Sequence, residues 1–431
     1  MKHILNLLLI ALFAVPACSS DDSNETALDA PGNVIAQMTS ETSITLSWSD
    51  CAAEQGYYVF LSKEQKPYAK LPANTSSYLF ENLEMGATYR LGVQAVGKGE
   101  KLSQAVFAEP VTLPDPVPED EIRFTWTEVP GLGLPASVKI YKTTDQLEGR
   151  PFNAWYAIAD CRQDVELKVI YPGKGATKTI DKQAEDAGNC LVLINGGIFG
   201  TAPIGFAVMD GVQTPWRYIA DDNWAVDKQY WGAVPNSAYE RLHPVSRGLF
   251  GVDNNGVPGV YWSYTPEHGT IYVYDNPIPT VAGEAVKQEG SKTYPCVPAN
   301  WAPYNAVTCG PVLLKNGECP INDKKNSSGH WLTNYELWAD DIYGVDQRAD
   351  RTAVGYTSDG KVILFICDGR ISASQGANTL ELAKVMKGLG CIGALNLDGG
   401  GSTGMWAGGQ HLNDLTGGNR PVMTSIGFFR K

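Results

Sequence analysis

The stretch CIGALNLDGGGS, residues 391–402, decides how this chain is read. An apolar run stops at Asn396, Leu397 and Asp398, and Gly399, Gly400 and Gly401 follow. A short buried strand gives a rigid support, and glycines let backbone N–H groups come close to a ligand. Successive N–H groups in such a turn form an anion-binding concavity. The segment from Gly399 to Ser402 is therefore expected to cradle a phosphate oxygen or to hold Asp398 in place. Each glycine costs roughly 0.5–1 kcal/mol against alanine in regular structure, a cost that packing alone rarely requires three times over.

Two other apolar runs end in the same style. LVLINGG (residues 191–197) stops at Asn195, Gly196 and Gly197, and KVILFICDGR (361–370) stops at Asp368, Gly369 and Arg370. Taken singly, Asn-Gly and Asp-Gly are ordinary turn signals. Taken together, polar groups where buried strands end predict a site at the edge of a sheet. NTLELAKVMKGLG (378–390) has a helical period: Leu382, Val385, Met386 and Leu389 share one face, and Gly390 suits the end. That stripe is a core face. VKIYKTT (138–144), AWYAIADC (154–161) and ELKVIYP (166–172) read as strands. Residues 201–305, rich in aromatics, Gly and Pro, read as loops and short strands. Residues 122–431 are thus expected to form one mixed α+β, sheet-rich domain.

The N-terminal part reads differently. In SITLSWSD (43–50) Ile44, Leu46 and Trp48 alternate with polar residues, the period of a half-buried strand. GYYVFLS (56–62) and TYRLGVQAVG (88–97) follow as further strands, which suggests an all-β, immunoglobulin-like sandwich. With Pro31 at its start, Trp48 in the second strand and Leu83 six residues before Tyr89, residues 30–113 resemble a fibronectin type III domain. The Leu83–Tyr89 pair looks like a tyrosine corner, in which the hydroxyl bonds to nearby backbone. Such modules serve as spacers or binding platforms. The Pro-rich acidic segment 114–121 reads as a linker.

Residues 1–18 carry a lysine, a short apolar core and a small-residue end, the marks of an export signal. The ending from Phe13 to Cys18 resembles a bacterial lipobox, with Val15 and Pro16 as imperfections. That resemblance implies lipidation of Cys18, and Ser19 in place of aspartate favours the outer membrane. The run Ser20, Asp21, Asp22 resembles export signals of Bacteroides-like surface lipoproteins. Residues 19–29 read as a tether, and the expected location is the outer membrane, facing the periplasm or the cell surface.

The chain has 431 residues, 43% of them apolar, so a sizeable core is available. A net charge of −13 repels nucleic acid. Glycine (45) and tryptophan (11) suggest many turns and aromatic surfaces for sugars. Trp216, Trp224, Trp231 and Trp301 could stack on sugar rings, although packing is the plainer role for each. No CxxC pair or HExxH motif points to a metal, and no cofactor is expected. Cys296, Cys309 and Cys319 sit in loop-like text and could contribute to a bridge, whereas Cys367 and Cys391 read as buried thiols.

Six segments carry a more specific resemblance: INGGIF (194–199), CGPVLLKNGE (309–318), DRTAVGYTSDGKVILFICDGR (350–370), GANTLELAKVMKGLG (376–390), ALNLDGGGST (394–403) and RPVMTSIGFF (420–429). In this order they resemble the phosphodiester glycosidase family, with residues 201–305 and the Gly404-Met405-Trp406 continuation individual to this chain. The family cleaves a sugar from the phosphate on its anomeric carbon, as in N-acetylglucosamine-1-phosphodiesters. A leaving phosphate monoester, with a second pKa of about 6, needs its charge stabilised more than it needs an acid. Arginine does this bidentately, and Arg351 and Arg370 are the candidates. Either could instead pair with Asp350 or Asp368. The sugar carbon gains oxocarbenium character, for which a carboxylate is required. Asp398 is the first candidate for nucleophile or base, and Asp368 is the second carboxylate. Asn195 and Asn396 would bond sugar hydroxyls, orient Asp398 or simply form turns. Two other functions fit less closely: a non-catalytic glycan-binding surface lipoprotein, and a carboxylate-pair glycoside hydrolase acting on neutral glycans.

Overall fold

A computed structural model describes residues 28–62, 66–173, 176–198, 205–214, 247–267, 270–276, 299–321 and 347–431. The expected export signal with Cys18, most of the expected tether, Cys296, Trp216, Trp224 and Trp231 lie outside them. The chain divides into two units, Met1–Pro116 and Val117–Lys431.

The first unit is all β. Strands β1 (Gly32–Ser40), β2 (Ser43–Ser49) and β5 (Ser77–Phe80) form one sheet, in the order β1-β2-β5. Strands β3 (Glu54–Phe60), β4 (Ala69–Pro72), β6 (Gly92–Gly97) and β7 (Val106–Phe107) form another, in the order β4-β3-β6-β7. Ile44, Leu46 and Trp48 all point into one core with Tyr57, Val59, Phe80 and Val93, as the alternation requires. The Glu84 amide donates to the Tyr89 hydroxyl at 2.8 Å, so this tyrosine does bond to neighbouring backbone.

The second unit is built of antiparallel sheets and two helices that matter here, α1 (Ile180–Ala187) and α2 (Thr379–Gly388). Its largest sheet has seven strands. Those that position the site are β8 (Val138–Thr143), β9 (Ala154–Ala159), β17 (Val312–Leu314), β18 (Arg351–Thr357), β19 (Val362–Cys367) and β20 (Cys391–Asn396). They run β8-β9-β19-β18-β20-β17, with a two-residue strand beyond β8. A five-stranded sheet contains β10 (Val165–Ile170), β11 (Cys190–Asn195), β21 (Met405–Ala407) and β22 (Ser425–Arg430), with β22 between β10 and β11. A six-stranded sheet contains β12 (Ala207–Met209), β13 (Arg247–Val252), β14 (Pro258–Glu267), β15 (Thr270–Tyr274) and β16 (Asn305–Cys309).

Both faces of the seven-stranded sheet are covered, which explains why β19 is apolar at every position. Val362, Leu364 and Ile366 enter a core shared with the other two sheets, where they meet Ile194, Phe250 and Phe428. Ile363, Phe365 and Cys367 enter a second core with Leu382, Val385 and Met386 of α2. Helix α2 begins with a capping box: the Asn378 side chain accepts from the Glu381 amide, and the Glu381 carboxylate accepts from the Asn378 amide, each at 2.8 Å. It closes at Gly390, whose φ of 84° is the left-handed value glycine adopts freely. Leu389, one step beyond the helix, is only partly buried.

The expectation for Cys309 needs correction. It is the last residue of β16 and is buried, because the five residues of that strand are enclosed on both faces. Cys319 is exposed with a free thiol, and Cys367 and Cys391 are buried thiols. Trp301 stacks on Tyr261 with ring centroids 5.0 Å apart.

Candidate active site

Antiparallel register sets the site. Arg351, which opens β18, lies opposite Cys367 at the end of β19, and Ala353 lies opposite Asn396 at the end of β20. Arg351, Asp368 and Asp398 therefore emerge at one edge of the same sheet. Asn195 closes β11 in the neighbouring sheet and reaches across to this edge. Its Nδ2 donates to the Asp398 carbonyl at 2.6 Å. Its Oδ1 accepts from Thr352 Oγ1 at 2.8 Å and from the Gly404 amide at 3.3 Å. The adjoining Gly196 and Gly197 amides donate to the Thr424 carbonyl and hydroxyl. Asn195 thus fastens the two sheets together and orients the backbone of Asp398. Asn396 points elsewhere: it is fully buried and donates from Nδ2 to the Gly310 carbonyl at 2.9 Å.

The triple glycine is explained by close contacts. A Cβ on Gly399 would lie 2.7 Å from the Asp350 carbonyl oxygen. On Gly400 it would meet the Arg370 guanidinium at 2.8 Å, at a φ of 61°. On Gly401 it would lie 3.3 Å from the Gly417 Cα and 3.6 Å from the Arg420 guanidinium, a tight fit rather than a clash. The turn's amides are largely used inside the protein. Gly399 donates to Asp398 Oδ1 at 3.0 Å, Gly400 to the Asp350 carbonyl at 3.0 Å, and Ser402 to the Gly399 carbonyl at 3.2 Å. Of the two uses expected for this turn, holding Asp398 is the one its geometry displays.

Burial pushes the Asp398 carboxyl up to about 6, against the pull of the Ser402 hydroxyl, the Arg420 charge and the Gly399 amide. The Ser402 hydroxyl acts by proximity; its geometry to the described groups meets no hydrogen bond. Asp368 is 1% exposed, and burial pushes it to about 6 as well. Asn413 Nδ2 donates to its Oδ1 at 3.1 Å, and the Asp414 amide lies 3.5 Å from its Oδ2. The carboxylates of Asp414 and Asp350 push it further in the same direction. Two carboxyl groups poised near neutrality at one sheet edge suit acid–base and nucleophilic chemistry.

The arginines divide. Arg351 is buried, with Nε donating to the Ala377 carbonyl at 3.0 Å and a terminal nitrogen to the Gln347 carbonyl at 2.7 Å. Arg370 donates from Nε to Asp350 Oδ2 at 2.9 Å, while its side chain stays 55% exposed and its terminal nitrogens overlie Gly400. Asp350 itself is buried and takes a second bond, from Thr416 Oγ1 at 2.6 Å. The pairing of Arg370 with Asp350, one of the alternatives the sequence left open, is therefore present, and it fixes the guanidinium over the glycine turn. Arg420 borders Gly401 and is the cation that acts on Asp398.

Arg420, Asn413 and Thr416 were not expected from sequence. All three come from one segment, residues 413–420, that crosses the sheet edge. The only sequence signal was Arg420 itself, the first residue of RPVMTSIGFF.

Residues 29–109 match the fibronectin type III domain model, and residues 243–429 match the phosphodiester glycosidase model. The chain is 41% identical over 101 residues to mouse N-acetylglucosamine-1-phosphodiester alpha-N-acetylglucosaminidase, covering 23% of this chain and 19% of the mouse protein. It is 33% identical over 107 residues to an SPbeta prophage-derived uncharacterized protein of Bacillus subtilis, covering 25% of this chain and 15% of that one. The chain thus spans less than a fifth of the length of either curated relative. Among solved structures, the zebrafish N-acetylglucosamine-1-phosphodiester alpha-N-acetylglucosaminidase catalytic domain, auto-inhibited by its pro-peptide, aligns at 20% identity with a TM-score of 0.43, over 68% of this chain and 82% of that one. A hypothetical protein from Synechocystis aligns at 17% identity with a TM-score of 0.46, over 94% of this chain and 81% of that one. Residues 29–109 are thus similar to the fibronectin type III domain, and residues 243–429 to the phosphodiester glycosidase family.

Proposed function

We propose that the protein hydrolyses the bond between a sugar's anomeric carbon and phosphate in glycosyl phosphodiesters of glycans or envelope polymers. One observation carries this reading: the Arg370 and Arg420 side chains border Gly400 and Gly401 of the turn that holds Asp398. Cations at that place match a substrate whose leaving group is an anion. The scissile C–O bond breaks with its electron pair going to phosphate oxygen, where the guanidinium groups hold the charge. Asp398, as carboxylate, stabilises or captures the cationic carbon. Water supplies hydroxide to that carbon, and its proton passes to a carboxylate. Asp368, among like charges, is the group better suited to hold a proton. Arg351 supports the segments around residues 347 and 377.

The deciding assay is hydrolysis of a sugar-1-phosphate diester by the purified protein. Release of the free sugar is expected. Equal rates on an uncharged glycoside would favour a glycosidase of neutral glycans, and tight glycan binding without turnover would favour a binding lipoprotein.

The reading extends to location. The lipobox-like end at Cys18 supports a lipid anchor in the outer membrane, with the fibronectin type III domain as spacer. Fatty-acid labelling that is lost in Cys18→Ser tests this; unlabelled, freely soluble wild-type protein would sink it.

A further inference from the structure

Asn413 occupies a position that the reaction outlined above leaves unused. Its Oδ1 accepts from the Met405 amide at 3.0 Å, at the start of β21. Its Nδ2 serves Asp368 Oδ1 at 3.1 Å, the Asp414 carbonyl at 3.1 Å and the Thr403 carbonyl at 3.4 Å. One side chain therefore ties the residues that follow the glycine turn to the second carboxylate. An amide with its oxygen fixed by a backbone N–H cannot flip, so it presents only N–H to Asp368.

The surroundings of Asp368 make this donor consequential. From the segment 413–420 the Asp414 carboxylate acts on it, and from just before β18 the Asp350 carboxylate does. Asp350 is in turn occupied by Arg370 and Thr416. Among the described residues, the only other hydrogen bond to the Asp368 carboxyl is the longer one from the Asp414 amide. Among the described residues no arginine or lysine bonds to Asp368, whereas Asp398 has Arg420 beside it. The segment 413–420 therefore supplies a cation to one carboxylate and a neutral donor to the other.

We infer that Asn413 is a positioning residue that sets the orientation and protonation of Asp368, giving the two carboxylates unlike roles. This inference rests on the catalytic reading of Asp368 given above. A neutral N–H donor favours the ionised form, so its loss moves the Asp368 titration upward, by roughly half a unit to one unit. Replacement by a carboxylate moves it further.

The experiment is a carboxyl carbon-13 NMR titration of the full chain, with the Asp368 resonance assigned by its loss in Asp368→Asn. Wild type is compared with Asn413→Ala, Asn413→Asp and the donor-retaining Asn413→Ser, alongside pH profiles of phosphodiester cleavage. Expected is an upward shift of the Asp368 midpoint in the order Ser, Ala, Asp, with the matching limb of the rate profile moving by the same amount. An unmoved midpoint in variants that keep their fold, even with reduced turnover, overturns the inference and leaves Asn413 a packing residue. If wild type cleaves no phosphodiester yet the midpoint moves, the electrostatic control of Asp368 stands and the catalytic reading falls. Should Asn413→Ala fail to fold, Asn413→Ser and Asn413→Asp still give the ordering.

Discussion

The side-chain amide of Asn195 donates to the main-chain carbonyl of Asp398 at 2.6 Å, linking two sheets across 203 sequence positions. Its oxygen is committed to Thr352 and Gly404. The geometry of Asp398 therefore depends on a residue that closes a strand of another sheet.

Asp398→Asn is expected to abolish hydrolysis of a glycosyl phosphodiester, by a factor of 10² or more, while the circular dichroism spectrum stays that of wild type. Turnover at the wild-type rate would remove Asp398 from the chemistry.

Arg370→Ala and Arg420→Ala are each expected to reduce cleavage of phosphodiesters far more than cleavage of aryl glycosides with good neutral leaving groups. Arg351→Ala, by contrast, should lower the melting temperature and affect both substrates alike, since its donors serve backbone carbonyls. A selective loss on phosphodiesters in Arg351→Ala would show that it also meets the phosphate.

Stability should fall as pH rises through the window of the two raised carboxyls. Both sit at about 6 in the folded chain, against about 4 when unfolded. The native state binds more protons than the unfolded state between those values, so unfolding free energy declines with rising pH, by about 2–3 kcal/mol per group at most. Asp368→Asn removes that cost. Thermal melts should show it more stable than wild type at pH 8, by a few degrees, with the advantage gone at pH 4. An equal difference at both pH values would mean that the burial of Asp368 carries no ionisation cost.

Gly399→Ala should be strongly destabilising, by about 1–3 kcal/mol, because its Cβ would press on the Asp350 carbonyl oxygen. Asn378→Ala should cost about 1 kcal/mol through the lost helix cap and leave catalysis intact. Urea unfolding of the two variants, paired with activity, separates a strained turn from a weakened helix.

Much of the architecture was legible because it is written in local period. VILFIC is apolar throughout since helix α2 and the facing sheets enclose both sides of its strand. Asn378 and Gly390 bracket a helix by their own backbone chemistry. Asp368, Arg370, Asp398 and Asn195 stood out because each ends an apolar run beside glycine. Asn413 and Thr416 could not be seen: polar residues in a polar loop look alike until register brings Asp368 and Asp350 to them. Arg420 was hidden by the strand text that follows it. Cys309 lies in loop-like text, yet it closes a strand whose five residues are all buried.

The place of Ser425–Arg430 has a consequence for how the molecule is made. This late segment fills the gap between Val165–Ile170 and Cys190–Asn195, so those earlier strands must wait, unpaired with each other, until it has been synthesised. The five-stranded sheet cannot assemble vector-fashion from the amino end as the chain emerges. Closure is governed by contacts spanning more than two hundred residues, a slow arrangement that keeps apolar edges open to chaperones or to aggregation in the meantime.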